Sequence, residues 1–215
     1  EKKKIRDIFG RYVAPSVVDK ILRQPDQISL GGDRQEVTVL FADIRGFTSL
    51  AERMEPEEVV ALLNQYFSLA ARAIFRYEGT LDKFMGDALL AMFNAPLPQP
   101  DHPLAAIRTA LAMQEAIEQH RQATGSTAGF GVGVNTGEAI VGNIGSRELM
   151  NYTVIGDAVN VAQRLQASAK AGEILISQSV YERVADRVEV EALEPMQVKG
   201  RTAPVQAYRI LGLRG

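Results

Sequence analysis

The chain has 215 residues, with 24 Lys plus Arg against 26 Asp plus Glu and a formal net charge of −2. That near-neutral balance argues against a general nucleic-acid surface. The absence of cysteine excludes disulfide frameworks, thiol nucleophiles and cysteine-ligated zinc or iron–sulfur centres. Hydrophobic residues make up 46% of the chain, enough for a sizeable core in one full domain. No apolar run reaches the ~18–20 residues that span a bilayer, so no membrane contact is expected. His102 and His120 are too few for a three-His zinc site and read as surface residues, in a loop and on a polar helix face. The chain starts at Glu1 without a signal-peptide pattern and reads as a piece of something longer.

At the N-terminus, Ile5, Ile8, Phe9 and Tyr12, then Val17, Val18, Ile21 and Leu22, recur at helical spacing on either side of Pro15. They predict two short amphipathic helices. A turn at Gly31–Asp33 is expected to part this segment, residues 1–30, from a main domain over 31–215. Residues 36–43 (EVTVLFAD) read as a central strand. Pro56 opens a helix running to about Tyr77, with Val59, Leu62, Leu63, Tyr66, Phe67 and Ala70 on one face.

Two apolar runs flanking Gly86-Asp87 predict a hairpin. A Pro-rich loop, Pro96 to Pro103, leads to a helix over about 104–123. Residues 130–135 and 138–143 read as a second hairpin turning at Thr136-Gly137. A helix over about 157–169, a strand at 173–177, a short helix near Val180 and strands near Val188 and 205–210 follow. This order gives the βαββαβ pattern of ferredoxin-like folds: α+β, a mostly antiparallel sheet with flanking helices.

Asp43 ends the first strand and Asp87 sits at a hairpin tip. Alone, each would be a cap or turn residue. If the strand and the hairpin are sheet neighbours, the two carboxylates share one end of the sheet. With a backbone carbonyl and phosphate oxygens they would cradle Mg²⁺. Asn160 and Arg164 lie four apart on one helix, hence on one face. No phosphate-binding Gly-x-x-x-x-Gly-Lys-Ser/Thr is present, which excludes a P-loop nucleotidase.

Residues 41–48 (FADIRGFT), 81–88 (LDKFMGDA), 141–146 (VGNIGS), 152–165 (YTVIGDAVNVAQRL) and 198–200 (VKG) stand in this order along the chain. Together they strongly resemble class III nucleotide cyclase catalytic domains, from about Glu36 to Leu211. Residues 9–18 (FGRYVAPSVV) look like the helical segment that often precedes such domains in bacterial multidomain cyclases.

The resemblance implies an adenylate cyclase that turns ATP into 3′,5′-cyclic AMP and pyrophosphate with two divalent metal ions, Mg²⁺ or Mn²⁺. Asp43, Asp87 and the backbone carbonyl of Ile44 match the metal ligands. Asn160 corresponds to the residue that orients the ribose, Arg164 to the α-phosphate cation, and Lys199 to a Lys on the terminal phosphates. Lys83 and Thr153 fall at the base-contacting positions. A Lys donates to adenine N1, where guanine carries a proton, and Thr153 can accept from the 6-amino group. Guanylate cyclases usually place Glu where Lys83 stands, so the pair favours ATP.

In the family the metal set and the base, ribose and phosphate set come from different protomers. A chain with both sets is expected to form a homodimer with two composite sites. Many relatives carry a basic residue within the run at 146–152; here it holds only Arg147, whose role stays open. An amphipathic helical stretch directly before a domain whose sites need a dimer predicts that residues 3–22 pass a signal from a missing upstream sensor or regulatory domain, with a cytoplasmic catalytic fragment and membrane anchoring of the full-length protein left open. The competing functions are a guanylate cyclase and a catalytically weak dimerising module. The diguanylate cyclases are set aside because Gly31-Gly-Asp33 precedes the first strand.

Overall fold

A computed structural model describes residues 1–215. In chain order its elements are α1 (Lys2–Phe9), α2 (Pro15–Arg23), β1 (Gly31–Arg45), α3 (Phe47–Ala51), α4 (Pro56–Arg76), β2 (Thr80–Met85), β3 (Ala88–Phe93) and α5 (His102–Thr124). Then come β4 (Gly129–Gly145), β5 (Met150–Ile155), α6 (Asp157–Ser168), β6 (Ile174–Ser177), α7 (Gln178–Val184), β7 (Val188–Ala192) and β8 (Ala207–Leu213). The strands form one sheet in the order β2-β3-β1-β4-β6-β8-β7, with β5 paired to β4. The first four strands are antiparallel neighbours, as a βαββαβ core requires, and β4–β6 is the parallel pair.

Local chemistry sets the helix starts. Pro56 occupies the first turn of α4, and Glu58 reaches back to the Glu55 N–H at 2.9 Å, closing a capping box. α4, α5 and α7 cover one face of the sheet. There Tyr66, Ile74, Ile107, Met113 and Val180 meet Leu40, Phe93, Phe130 and Val134 in the larger core. On the opposite face α6 and β5 lie over β1, β3 and β4 through Val39, Phe41, Met92, Val154, Ala158 and Ala162. α6 lies close to β4, because a Cβ on Gly133 would collide with the backbone of Ala162 and Gln166.

Three expectations are corrected. Gly31–Asp33 is not a turn but the first stretch of β1, paired with Val141–Asn143. Gly142 packs so closely against Gly31 that a side chain there has no room, so these glycines mark strand approach rather than reversal. Thr136-Gly137 is likewise no turn. β4 is one 17-residue strand paired along all of β1. The turn-like polar residues are held by neighbours: Asn135 Nδ2 donates to the Ala158 carbonyl at 2.9 Å, and Thr136 and Thr38 share a hydroxyl contact of 2.7 Å.

Neither histidine is a free surface residue. His102 opens α5 and is buried, with Nδ1 2.6 Å from the Thr38 hydroxyl and Nε2 3.1 Å from Glu36. A carboxylate only accepts, so Nε2 carries the proton and Nδ1 accepts from Thr38. His120 is half-buried, edge-on to Tyr66 at 5.4 Å. A charge-free histidine with partners for both nitrogens loses little by leaving water, which surface-oriented pattern reasoning overlooks.

The N-terminal helices behave differently from each other. α1 buries nothing and leaves Ile5, Ile8 and Phe9 exposed, whereas α2 buries Val17 and Val18. No helix is long and apolar enough to cross a membrane.

Candidate active site

β1 and the β2–β3 hairpin place the first pair of residues. Asp43 faces Ala88 across the β1–β3 ladder, and the Ile44 N–H donates to the Asp87 carbonyl at 3.1 Å. Asp87 follows Gly86, whose φ of +61° permits the tight reversal. The two carboxylates therefore share one rim of the sheet.

The Asp43 side chain is only 21% exposed, and its Oδ1 has no hydrogen-bond partner. Burial pushes its carboxyl above the ordinary range; Arg45 opposes that rise and Asp87 adds to it. A buried carboxylate oxygen that has an ion-pair neighbour but no hydrogen bond, beside a second carboxylate, has the donor chemistry that a hard divalent cation meets. No group of three or more His, Asp or Glu side chains is placed to hold a metal ion. An ion here would thus take Asp43, Asp87 and a main-chain carbonyl such as that of Ile44, with other oxygens from substrate.

Arg45 was not singled out in the sequence. Its Nε lies 3.1 Å from Asp43 Oδ1, and its Nη2 donates to the Gln166 carbonyl in the last turn of α6. The guanidinium ties the carboxylate rim to the negative end of that helix.

A second group forms where β5 crosses to β2. Thr153 is buried, and its hydroxyl donates to Asp82 Oδ2 at 2.6 Å. Lys83 Nζ stands 3.8 Å from the other Asp82 oxygen. The ladder between β2 and β3 slips one register between Leu81 and Lys83, so Asp82 sits in a bulge. Lys83 and Thr153 are therefore brought together through a residue that sequence reasoning missed. Two acidic residues, Asp82 and Asp87, in one hairpin were the available signal, and the one at the tip drew the attention.

α6 presents Asn160 and Arg164 to solvent, and Arg164 Nε donates to the Gln197 carbonyl at 3.1 Å. Lys199 is exposed on the same 193–206 connection, which is anchored by buried Val198 and Val205. Arg201 adds a second tether, with Nε 2.7 Å from Asp157 at the start of α6. Arg147 is exposed in the β4–β5 turn. Within one chain no hydrogen bond or ion pair links Asp43 or Asp87 to Lys83, Thr153, Asn160, Arg164 or Lys199.

The same architecture recurs in solved nucleotide cyclases. The adenylyl cyclase CyaB from P. aeruginosa superposes with a TM-score of 0.81 and 38% identity, over 86% of this chain and 98% of that one. The guanylyl cyclase Cya2 gives the same TM-score with 41% identity, over 86% and 96%.

Residues 32–212 match the family described as the Adenylate and Guanylate cyclase catalytic domain, and the chain belongs to that family. It is a class III nucleotide cyclase domain, an enzyme of the lyase class. Adenylate cyclase 1 of Rhizobium meliloti is 36% identical over 95% of this chain. The chain spans 32% of that relative's length.

Proposed function

We propose that the chain is the catalytic domain of an adenylate cyclase, acting on ATP at two composite sites of a homodimer. The observation that carries the nucleotide choice is the meeting of Lys83 and Thr153 on one buried carboxylate, Asp82. An ammonium donates to adenine N1 and a threonine oxygen accepts from the 6-amino group, whereas guanine offers a donor and an acceptor in the opposite order.

In the reaction the ribose 3′-oxygen bonds to the α-phosphorus, the bond to the β-phosphate bridging oxygen breaks, and pyrophosphate leaves with the electron pair. The 3′-hydroxyl proton is released. Asn160 would hold the ribose oxygen in line. Arg164, with its planar fork, would donate to the α-phosphate as charge grows there. Lys199 would hold the terminal phosphates. Mg²⁺ or Mn²⁺, when bound by Asp43, Asp87 and the Ile44 carbonyl, supplies positive charge to the attacking and leaving oxygens.

Shared sites are supported by the lack of any hydrogen bond or ion pair between the two residue sets within one chain. Exposed Phe84, Met85, Leu149 and Ile155 on β2, the β4–β5 turn and β5 offer apolar surface for a second copy. The purified chain, incubated with Mn²⁺ and either nucleotide, should yield cyclic AMP from ATP in clear excess over cyclic GMP from GTP. The reverse product ratio would establish the guanylate reading, and no product from either would establish the regulatory one.

The N-terminal segment is read as the connection to an upstream regulatory domain in a cytoplasmic protein. The Ser16 and Thr80 hydroxyls are 3.0 Å apart, and Lys20 lies 4.9 Å above the Tyr152 ring, next to Thr153. α2 thus touches both strands that carry the base-contacting pair. Deleting residues 1–27 should change specific activity or dimer affinity several-fold in a turnover and ultracentrifugation assay. Unchanged values would make the segment an inert connector.

A further inference from the structure

Threonine is an ambiguous reader. Its hydroxyl can donate or accept, so Thr153 by itself could serve the 6-amino group of adenine or the 6-oxygen of guanine. The surroundings remove that ambiguity. The Asp82 side chain is 1% exposed, and a carboxylate has no proton to give. Its Oδ2 takes the Thr153 proton at 2.6 Å.

We propose that Asp82 is a specificity-determining positioning residue, which fixes Thr153 as a hydrogen-bond acceptor toward the nucleotide base. The inference rests on the adenine reading given above. With its proton committed to Asp82, Thr153 presents only lone pairs outward. An exocyclic amino group is satisfied there. A guanine 6-oxygen would face another oxygen, with both acceptors unpaired in a buried site, which is a strong form of rejection.

The bulge makes the arrangement possible. In a regular strand Asp82 and Lys83 would point to opposite faces. The slipped register instead leaves their charged atoms 3.8 Å apart, so one carboxylate also restrains the Lys83 ammonium. Burial raises the Asp82 carboxyl above its ordinary range, and the Thr153, Val154 and Lys83 donors oppose that rise.

The test is Asp82→Asn, which keeps shape and removes charge. An amide NH₂ turned toward Thr153 donates to its hydroxyl, whose own proton then turns outward. The ratio of kcat/KM for ATP over GTP should fall roughly tenfold to a hundredfold, with the change mainly in KM. Asp82→Ala, which frees the hydroxyl to rotate, should lower the ratio less.

Thr153→Val separates this proposal from the reading beneath it. If Thr153→Val leaves the ratio unchanged, Thr153 does not read the base. If it lowers the ratio while Asp82→Asn does not, the adenine reading stands and the role of Asp82 is overturned. Adding Asp82→Asn to Thr153→Val should bring less than the sum of the two single losses, because the part that runs through Thr153 is already gone and only the restraint on Lys83 is left to lose. A full additive loss would mean that Asp82 acts only as scaffold. Should the variants fail to fold, the wild-type protein decides by NMR: a Thr153 hydroxyl proton protected from exchange supports the assignment, and one in fast exchange overturns it.

Discussion

Asp43 and Asp82 are both carboxylates drawn out of water, and burial raises both. They differ in what surrounds them. Asp82 accepts from a hydroxyl and has an ammonium nearby. Asp43 has a guanidinium alongside, yet its Oδ1 lacks a hydrogen bond. A closed set of donors makes a carboxylate a fixture that orients its neighbours. An open one keeps a costly unsatisfied atom, tolerable where a ligand supplies the missing charge. The difference is what supports the proposed positioning role for Asp82 and the proposed ligating role for Asp43.

Substitution should break the comparison most forcefully at the open carboxylate. Asp43→Ala or Asp87→Ala is expected to lower turnover of either nucleotide roughly a thousandfold or more, with the circular dichroism spectrum retained. The same variants should lose the rise in melting temperature that Mn²⁺ with a non-cyclisable ATP analogue gives the wild type. Near-normal turnover in either variant would remove both residues from the metal assignment.

Mixing variants asks whether the two groups serve different sites. Asp43→Ala and Arg164→Ala should each be nearly inactive as homodimers. With free exchange, about half of the mixed dimers are heterodimers, each holding one intact site, so activity should return to roughly a quarter of wild type. Asp43→Ala mixed with Asp87→Ala should recover nothing. Verified exchange without recovery in the first mixture would show that the sites are not shared.

The smallest effect concerns a third buried polar group, His102, which sharpens the rule that partners decide. Burial is the main cause holding its pKa below the ordinary value, aided by Arg183 and opposed by Glu36 and Asp101. The unfolded chain therefore takes up a proton first as pH falls. The contribution of His102 is present above about pH 6.5 and is lost as pH drops through the lower folded value. His102→Leu should cost about 1–3 kcal/mol at pH 7.5 in urea unfolding, from lost partners to Thr38 and Glu36. The same variant should flatten the decline between pH 7 and pH 5. An unaltered decline would place the titration elsewhere.

The sequence exposed much of this molecule, for identifiable reasons. The β2–β3 hairpin, α4 and α5 carry unbroken periodicity and strong end signals such as Pro56 and Gly86-Asp87. The rim shared by Asp43 and Asp87 followed from expecting those strands to be neighbours, which the β1–β3 register bears out. Glycine misled where it served packing: Gly31–Asp33 and Thr136-Gly137 read as reversals but lie within the long strands β1 and β4. The contacts of His102, Arg45 and Asp82 join residues 64, 121 and 71 positions apart. No local pattern encodes such pairings; they exist only once the sheet is assembled. The assignment of chemistry to Asn160, Arg164 and Lys199 came from motif likeness, since spacing alone shows only a shared helix face.

The one-residue slip in β2 has a consequence for how such a domain changes its diet. A residue in a bulge stands outside the regular hydrogen-bond ladder, so its side chain can be exchanged while the flanking pairs Leu81–Ala91 and Lys83–Leu90 keep their register. On the proposal made for Asp82, position 82 would work as a dial mounted beside the gears rather than as one of them. Taste for one purine over another would then be turned there, and at Lys83 and Thr153, without touching the rim that would hold the metal. An adenylyl and a guanylyl cyclase that superpose equally well on this chain, each with a TM-score of 0.81, are what a scaffold with a detachable palate would produce.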